Sequence, residues 1–134
     1  MRTILFRGRR VDNDTWIYGD LRHWRNGTVG IHSDMLQKTL PVIPETVGQD
    51  TDMADKNGMR IFEGDIISAK LENGAYKDYT WPSMPVAFQQ GAFCLIDKKG
   101  DIFCVLGAFV PSATFEVVGN IHDNKEMLCA EVEG

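Results

Sequence analysis

The stretch DKNGMRIFEGDIISAK, residues 55–70, places a turn, a bend and an apolar run in that order. Asn57-Gly58 predicts a tight hairpin turn, because this pair accepts the positive φ angles that such turns need. Gly64 supplies the flexible point of a bend. The run DIISAKL alternates imperfectly, which is typical of a strand that is mostly buried. The order of turn, bend and strand therefore predicts local β-structure.

Upstream of this stretch the chain reads as a β-meander. The segments TILFRGRRV (3–11) and TWIYGDLRHW (15–24) are rich in β-branched and aromatic residues. Asn26-Gly27 predicts a second tight turn. Pro41 and Pro44 remove backbone donors, so LPVIP can form at most an edge strand or an extended connector.

Downstream, the segment 72–85 reads as a long polar and aromatic loop that ends in two prolines. AFCLID and DIFCVL flank Lys98-Lys99-Gly100, which predicts a hairpin with a three-residue turn. Asp123 with Glu126 forms a capping-box pattern for one short helix near 123–130. The sequence thus predicts an all-β or β-dominated α+β fold, built as a small barrel or roll.

Length and composition set the class and the compartment. At 134 residues we expect one domain, since domains most often have about 100–150 residues. No apolar run approaches the roughly 20 residues that cross a membrane, and the N-terminus lacks the apolar stretch of a secretory signal. We therefore expect a cytoplasmic protein with no membrane partner.

Charge is unevenly distributed along the chain. The net charge is −5, which argues against non-specific binding of nucleic acid by the whole molecule. Residues 1–25 have six arginines and three aspartates, so this segment is locally basic and the remainder is strongly acidic.

Four blocks resemble the YopX family of phage and prophage proteins. They are LFRGRRVDNDTWIYGDL (5–21), VIPETVGQDTDMADKNGMRIFEGDII (42–67), VAFQQGAFCL (86–95) and FEVVGNIHDNKEML (115–128). At 49–53 the family usually has Gln, aromatic, Thr, Gly, apolar, whereas this chain has QDTDM. The missing aromatic residue and glycine leave the surface function of that loop in doubt.

The resemblance implies fold and context more than chemistry. It implies one YopX-like domain over 1–134 with an SH3-like barrel or roll. In this division 1–48 form the meander and connector, 49–122 the core, and 123–134 a short helix and tail. It also implies a phage or prophage protein of undefined activity. No catalytic residues are carried over, and we expect no enzyme, no cofactor and no metal.

Two clusters allow a functional and a structural interpretation. Asp50, Asp52, Asp55, Glu63 and Asp65 are close in sequence, but they fail the calcium-loop template, and we expect solvated carboxylates. Cys94 and Cys104 are equidistant from the predicted turn, which would set them opposite each other. A redox switch is one interpretation, and two reduced thiols packed as small apolar groups is the one we favour.

The remaining candidate is a basic and aromatic surface on the N-terminal strands. Its residues are Arg7, Arg9, Arg10, Trp16, Tyr18 and Trp24. Alternate residues of a strand share a face, so Arg7 and Arg9 should project together. Arginines beside aromatic rings can contact phosphates and stack on bases. Alternatively, these arginines pair with acidic groups of this chain or of a neighbour while the aromatic residues fill the core.

These observations favour a non-enzymatic accessory protein that binds a macromolecule, most simply another protein or a second copy of itself. The alternative is a nucleic-acid-binding module that uses the N-terminal strands. Nothing in the sequence supports an enzyme with a dispersed site.

Overall fold

The computed structural model describes residues 3–72, 74–109 and 113–127. It confirms the all-β class. The chain forms two compact units, Met1–Asp52 and Met53–Gly134, which we call the N-terminal unit and the C-terminal unit. The described strands are β1 (Phe6–Arg9), β2 (Trp16–His23), β3 (Val29–Ser33), β4 (Lys38–Val42), β5 (Gly48–Ala54), β6 (Arg60–Phe62), β7 (Asp65–Leu71), β8 (Thr80–Gln89), β9 (Ala92–Ile96), β10 (Ile102–Val105) and β11 (Ala113–Asn120). Two 3₁₀ helices span Pro44–Thr46 and Leu106–Phe109.

The N-terminal unit is an antiparallel meander that closes on itself. Its strands lie in the order β4-β3-β2-β1, with β5 next to β1. Beyond β1, Arg10 pairs with Val42, and the backbone N–H of Ile43 donates to the carbonyl of Arg9 at 2.8 Å. The two ends of the meander therefore meet, and β4 is not left as an open edge.

The closed meander has a small apolar interior. Ile17, Ile31 and Val42 are buried at its centre. A side chain at Gly8 would place its Cβ 3.1 Å from Val42 and 3.2 Å from Ile31. The buried centre of the meander is thus filled by aliphatic groups, and the ring of Phe6 packs against it only partly buried.

The C-terminal unit contains a five-stranded antiparallel sheet in the order β10-β9-β8-β7-β11. The buried core on this unit is larger and includes two aromatic rings. Its members are Ile61, Ile67, Ala69, Trp81, Met84, Val86, Leu95, Leu106 and Phe115. Strand β7 is buried along most of its length, as its sequence predicts.

One predicted loop is in fact partly strand. We expected 72–85 to be a loop, but β8 begins at Thr80 and runs through Pro82 and Pro85. On the side of β9, pairing begins only at Val86. The two prolines therefore lie where β8 pairs with β7 alone, and their missing N–H groups cost no bond to β9.

Three hairpin loops share one geometry. In the loops that end at Gly27, Gly58 and Gly100, three residues connect the paired positions, and the glycine has a φ between 81° and 87°. The three-residue turn at 98–100 is confirmed. The two Asn-Gly sites were predicted as tight turns, but each is a three-residue loop in which only the glycine has a positive φ. The extra residue precedes the Asn-Gly pair and moves the glycine to the left-handed position that closes such loops.

The end of the described chain contains one helical turn, Lys125–Met127. Residues 128–130 of the predicted helix lie outside the described residues. The backbone N–H of Asp123 donates to Asn120 Oδ1 at 2.8 Å, so the Asn120 side chain stabilises this turn from upstream. In the described part of the chain, no helix is long and apolar enough to cross a membrane.

Candidate functional site

The candidate surface lies on one side of β1 and β2. Arg7 pairs opposite Tyr18 and Arg9 opposite Trp16, and residues directly opposite each other in an antiparallel pair share a face. The shared face of Arg7 and Arg9 is therefore confirmed. We call this side the outer face, and its residues are Arg7, Arg9, Trp16, Tyr18, Asp20, Arg22 and Trp24.

Two of the arginines stack on a tryptophan of the same face. The guanidinium carbon of Arg7 is 4.7 Å from the centre of the Trp16 ring, and that of Arg9 is 5.3 Å from it. Arg7 is only 6% exposed. Arg9 also pairs with Asp14 at 3.6 Å. Both cations thus make contacts within the N-terminal unit, where stacking on a ring stabilises them.

Arg10 follows β1, and its side chain leaves the backbone on the side opposite to Arg9, because Arg10 pairs with the core residue Val42. Its Nε donates to Asp12 Oδ1 at 2.9 Å and its Nη2 to Asp12 Oδ2 at 2.7 Å. This two-point contact lowers the pKa of the Asp12 carboxyl below its ordinary value of 3.8, chiefly through the hydrogen bond from Arg10. Arg10 therefore does not contribute to the outer face.

The exposed part of the outer face is aromatic. Tyr18 is 47% exposed and Trp24 is 42% exposed. The Trp24 ring lies across Gly30, since a Cβ at Gly30 would sit 2.7 Å from Trp24 Cη2. The expectation that the aromatic residues fill the core does not hold for this pair, because both lie on the outer face and the buried centre is formed by Ile17, Ile31 and Val42.

Arg22 is the candidate residue that sequence reasoning missed. It is exposed, it lies between Tyr18 and Trp24 on the same face, and it pairs opposite Gly30, which has no side chain to cover it. The structure gives its side chain no hydrogen bond or ion pair to any described residue. The signal was available, because positions 18, 20, 22 and 24 alternate along β2.

Three members of the acidic cluster are structural. We expected solvated carboxylates, and Asp52 is exposed, but Asp50, Asp55 and Asp65 are only 3%, 7% and 2% exposed. Each accepts at least one backbone N–H, which is how a buried carboxylate is stabilised. Among the described residues, no group of three or more His, Cys, Asp or Glu is placed to hold a metal ion.

Asp55 accepts hydrogen bonds from residues that are far apart in sequence. Its Oδ1 accepts the N–H groups of Asn57 and Met59, and its Oδ2 accepts that of Val117, all at 2.9 Å. Burial by itself raises the pKa of the Asp55 carboxyl, but the three N–H groups outweigh it and hold that pKa below 3.8. The residue thus fastens a hairpin loop to a strand distant in sequence.

The two described cysteines are free thiols. They are not opposite each other as predicted, because the pairing of β9 and β10 shifts after Ile102. Cys104 pairs with Leu95, and Cys94 pairs with Val105, so the two side chains start from opposite faces. Burial first, and the nearby Cys94 second, raise the pKa of the Cys104 thiol to about 11. This favours the interpretation of two packed thiols.

The histidines and the C-terminal unit offer no better site. His32 Nδ1 lies 2.9 Å from Thr39 Oγ1 on the adjacent strand. A surface cleft of about 340 Å³ lies over β7 and β11. Two of its lysines are already paired, Lys56 with Glu116 and Lys70 with Asp78, each at 3.5 Å.

Comparisons with known proteins agree with this fold. The family model described as YopX protein matches residues 5–129. Protein EF1440 from Enterococcus faecalis has a similar structure, with a TM-score of 0.55 and 20% identity over 96% of this chain and 99% of that chain. Protein yopX from Bacillus subtilis is similar with a TM-score of 0.56 and 21% identity, over 92% of this chain and 96% of that chain.

A comparison with curated proteins finds no match. The likeness to the two solved structures concerns the fold, whereas the family model covers nearly the whole described sequence. The chain belongs to the YopX protein family.

Proposed function

We propose that this chain is a non-enzymatic binding module whose partner is a protein, and that the outer face of the N-terminal unit is its contact surface. One observation carries the proposal. Tyr18 and Trp24 are exposed on either side of Arg22, whose side chain makes no hydrogen bond or ion pair with the described residues. Tryptophan, tyrosine and arginine are the residue types that contribute most to the energy of protein interfaces.

The alternative partner, a nucleic acid, has weaker support. Phosphate recognition depends on several lysine or arginine contacts. On the N-terminal strands, Arg7 and Arg9 stack on Trp16, and Arg10 is held by Asp12. Residues 1–52 contain seven Lys or Arg and seven Asp or Glu, so this unit offers no surplus of positive charge.

In this proposal the protein acts in the cytoplasm of a bacterium as a product of a phage or an integrated element, as the resemblance implies. The free thiols of Cys94 and Cys104 agree with a reducing compartment. Self-association through the same face belongs to the proposal as one form of protein contact.

The experiment compares capture by wild-type protein and by the double variant Tyr18→Ser/Trp24→Ala. Immobilised protein is exposed to a bacterial lysate, and bound proteins are identified by mass spectrometry. A matched control removes two exposed rings of the C-terminal unit, Tyr76→Ser and Phe88→Ala. We expect one set of proteins to be lost with the first variant and retained with the control.

Light scattering measures self-association of the wild type and both variants. A DNA-binding assay at several salt concentrations tests for a nucleic-acid partner. Equal capture by both variants would refute the role of the outer face. DNA binding that weakens steeply with salt and disappears in the first variant would replace the protein partner with nucleic acid.

A further inference from the structure

The end of the β2–β3 hairpin, residues 22–28, is basic and exposed. From Arg22 to Thr28 every residue is exposed. This hairpin end contains Arg22, His23 and Arg25 and no Asp or Glu, and Asp20 is the nearest acidic residue in sequence. This contrasts with the chain as a whole, which has a net charge of −5.

The cations of this hairpin end are not engaged. Neither Arg22 nor Arg25 makes a hydrogen bond or an ion pair with the described residues. The other arginines of the described N-terminal strands do make such contacts, since Arg9 pairs with Asp14 and Arg10 with Asp12. The acidic residue nearest in sequence on the same face is Asp20, which lies opposite His32.

The hairpin end also has an aromatic platform. Trp24 lies between the two arginines in sequence, and its ring rests on Gly30. A backbone hydrogen bond from the N–H of Trp24 to the carbonyl of Thr28, 3.0 Å long, closes the loop and holds this platform in place. An exposed ring with a free cation near it in sequence on either side fits a ligand that combines negative charge with apolar surface.

We propose that the hairpin end, residues 22–28, binds an acidic segment of a partner protein, with Arg22 and Arg25 contacting carboxylates and Trp24 packing on the intervening side chains. The proposal rests on the proposed function and names the chemistry of the partner. Two free cations suit a short acidic peptide, whereas a nucleic acid would need a longer track of positive charge. Guanidinium groups match carboxylates in a two-point geometry.

The test uses two double variants that remove the same charge. Arg22→Gln/Arg25→Gln changes the hairpin end, and Lys98→Gln/Lys99→Gln changes the exposed turn between β9 and β10. The probe is a short fluorescein-labelled peptide in which glutamates alternate with tyrosines, and binding is followed by anisotropy. A peptide with glutamine in place of glutamate and an oligothymidylate of equal charge are measured in parallel.

We expect the arginine variant to bind the glutamate peptide about tenfold more weakly, since exposed ion pairs contribute modestly and two are lost. The lysine variant should stay within about twofold of wild type, and added salt should weaken binding. Circular dichroism should be unchanged in both variants, because all four side chains are exposed.

Three results would overturn the proposal. They are equal weakening in both variants, tighter binding of oligothymidylate than of the glutamate peptide, and no binding of the glutamate peptide at all. Self-association that is lost only in the arginine variant would mean that the occupant is a second copy. If the peptide does not bind while lysate capture still requires Tyr18 and Trp24, this inference fails and the proposed function stands.

Discussion

The two units differ in the rings that their cores contain. In the C-terminal unit, Trp81 and Phe115 are buried in the core, although other rings of this unit, such as Tyr76, are exposed. In the N-terminal unit, the buried centre is aliphatic, Phe6 packs against it only partly buried, and Tyr18 and Trp24 are exposed. The larger core thus encloses whole rings, whereas the smaller buried centre does not.

The comparison also separates two kinds of glycine. In the N-terminal unit, Gly19 and Gly30 are required by close approach, because a Cβ at either would lie within 3 Å of another atom. In the C-terminal unit, Gly107 faces open space, and a Cβ at Gly119 would meet the side chain of Asn124 at 2.6 Å. In the N-terminal unit the close neighbour of Gly19 is instead backbone, the carbonyl of His32.

The largest effect should follow from Gly19→Ala. The new Cβ would be 1.8 Å from the carbonyl oxygen of His32, and backbone cannot move away as a flexible side chain can. We expect a loss of more than about 4 kcal/mol or failure of the N-terminal unit to fold. Urea unfolding followed by tryptophan fluorescence measures this, with Gly107→Ala as the control. A small effect of Gly19→Ala would contradict the tight packing of β2 against β3.

Truncating one buried side chain in each core should cause the next largest loss of stability. Ile31 and Leu95 are both 0% exposed. We expect Leu95→Ala to cost about 4 kcal/mol and Ile31→Ala about 3 kcal/mol, because the cost increases with the cavity that remains and small cores collapse more readily. Denaturant unfolding measures both losses of unfolding free energy, which can be compared through the midpoints when the slopes of the transitions are equal. A larger cost for Ile31→Ala would show that the small interior is the more rigid one.

A smaller effect should follow from Asp55→Asn, about 2 kcal/mol, because an amide N–H₂ would face the N–H of Val117. Asp97 is the matched control. Its Oδ1 accepts the N–H groups of Lys99 and Asp101 in an equivalent loop, without a long-range bond. We expect Asp97→Asn to cost about 1 kcal/mol.

The same carboxyl predicts a pH dependence. Because the folded protein lowers the pKa of Asp55, its contribution is fully present above its unfolded pKa of about 3.9. The contribution is lost as the pH falls through the folded value. Wild-type stability should therefore fall more steeply below about pH 4 than that of Asp55→Asn. Parallel acid unfolding curves would contradict this assignment.

The smallest effect concerns reactivity and leaves stability unchanged. Since the pKa of the Cys104 thiol is raised to about 11, only about one thiol in a thousand is ionised at pH 8. Alkylation of Cys104 in the folded protein should be far slower than in the unfolded protein, as peptide mass mapping would measure. Fast labelling, or a Cys94–Cys104 disulfide after mild oxidation, would favour the redox interpretation instead.

The sequence by itself determined the first three strands of the meander, the three-residue turn that ends at Gly100 and the shared face of Arg7 and Arg9. These features follow from local rules, because β-branched residues favour strands and alternation fixes the face. The same rule placed Arg22 beside Tyr18 and Trp24, although its importance became clear only when the contacts of the other arginines were known.

Tertiary structure decided which of these side chains are buried or bound within the chain and which are exposed. Asp55 is buried where it accepts the N–H of Val117, 62 residues away in sequence. No local sequence pattern predicts this contact. A register shift in β10 separates Cys94 from Cys104, and one-sided pairing permits two prolines in β8. The exposure of Trp24 likewise depends on Gly30 in the neighbouring strand. Long-range pairing sets burial and contact, and these determine which residues remain available to a partner.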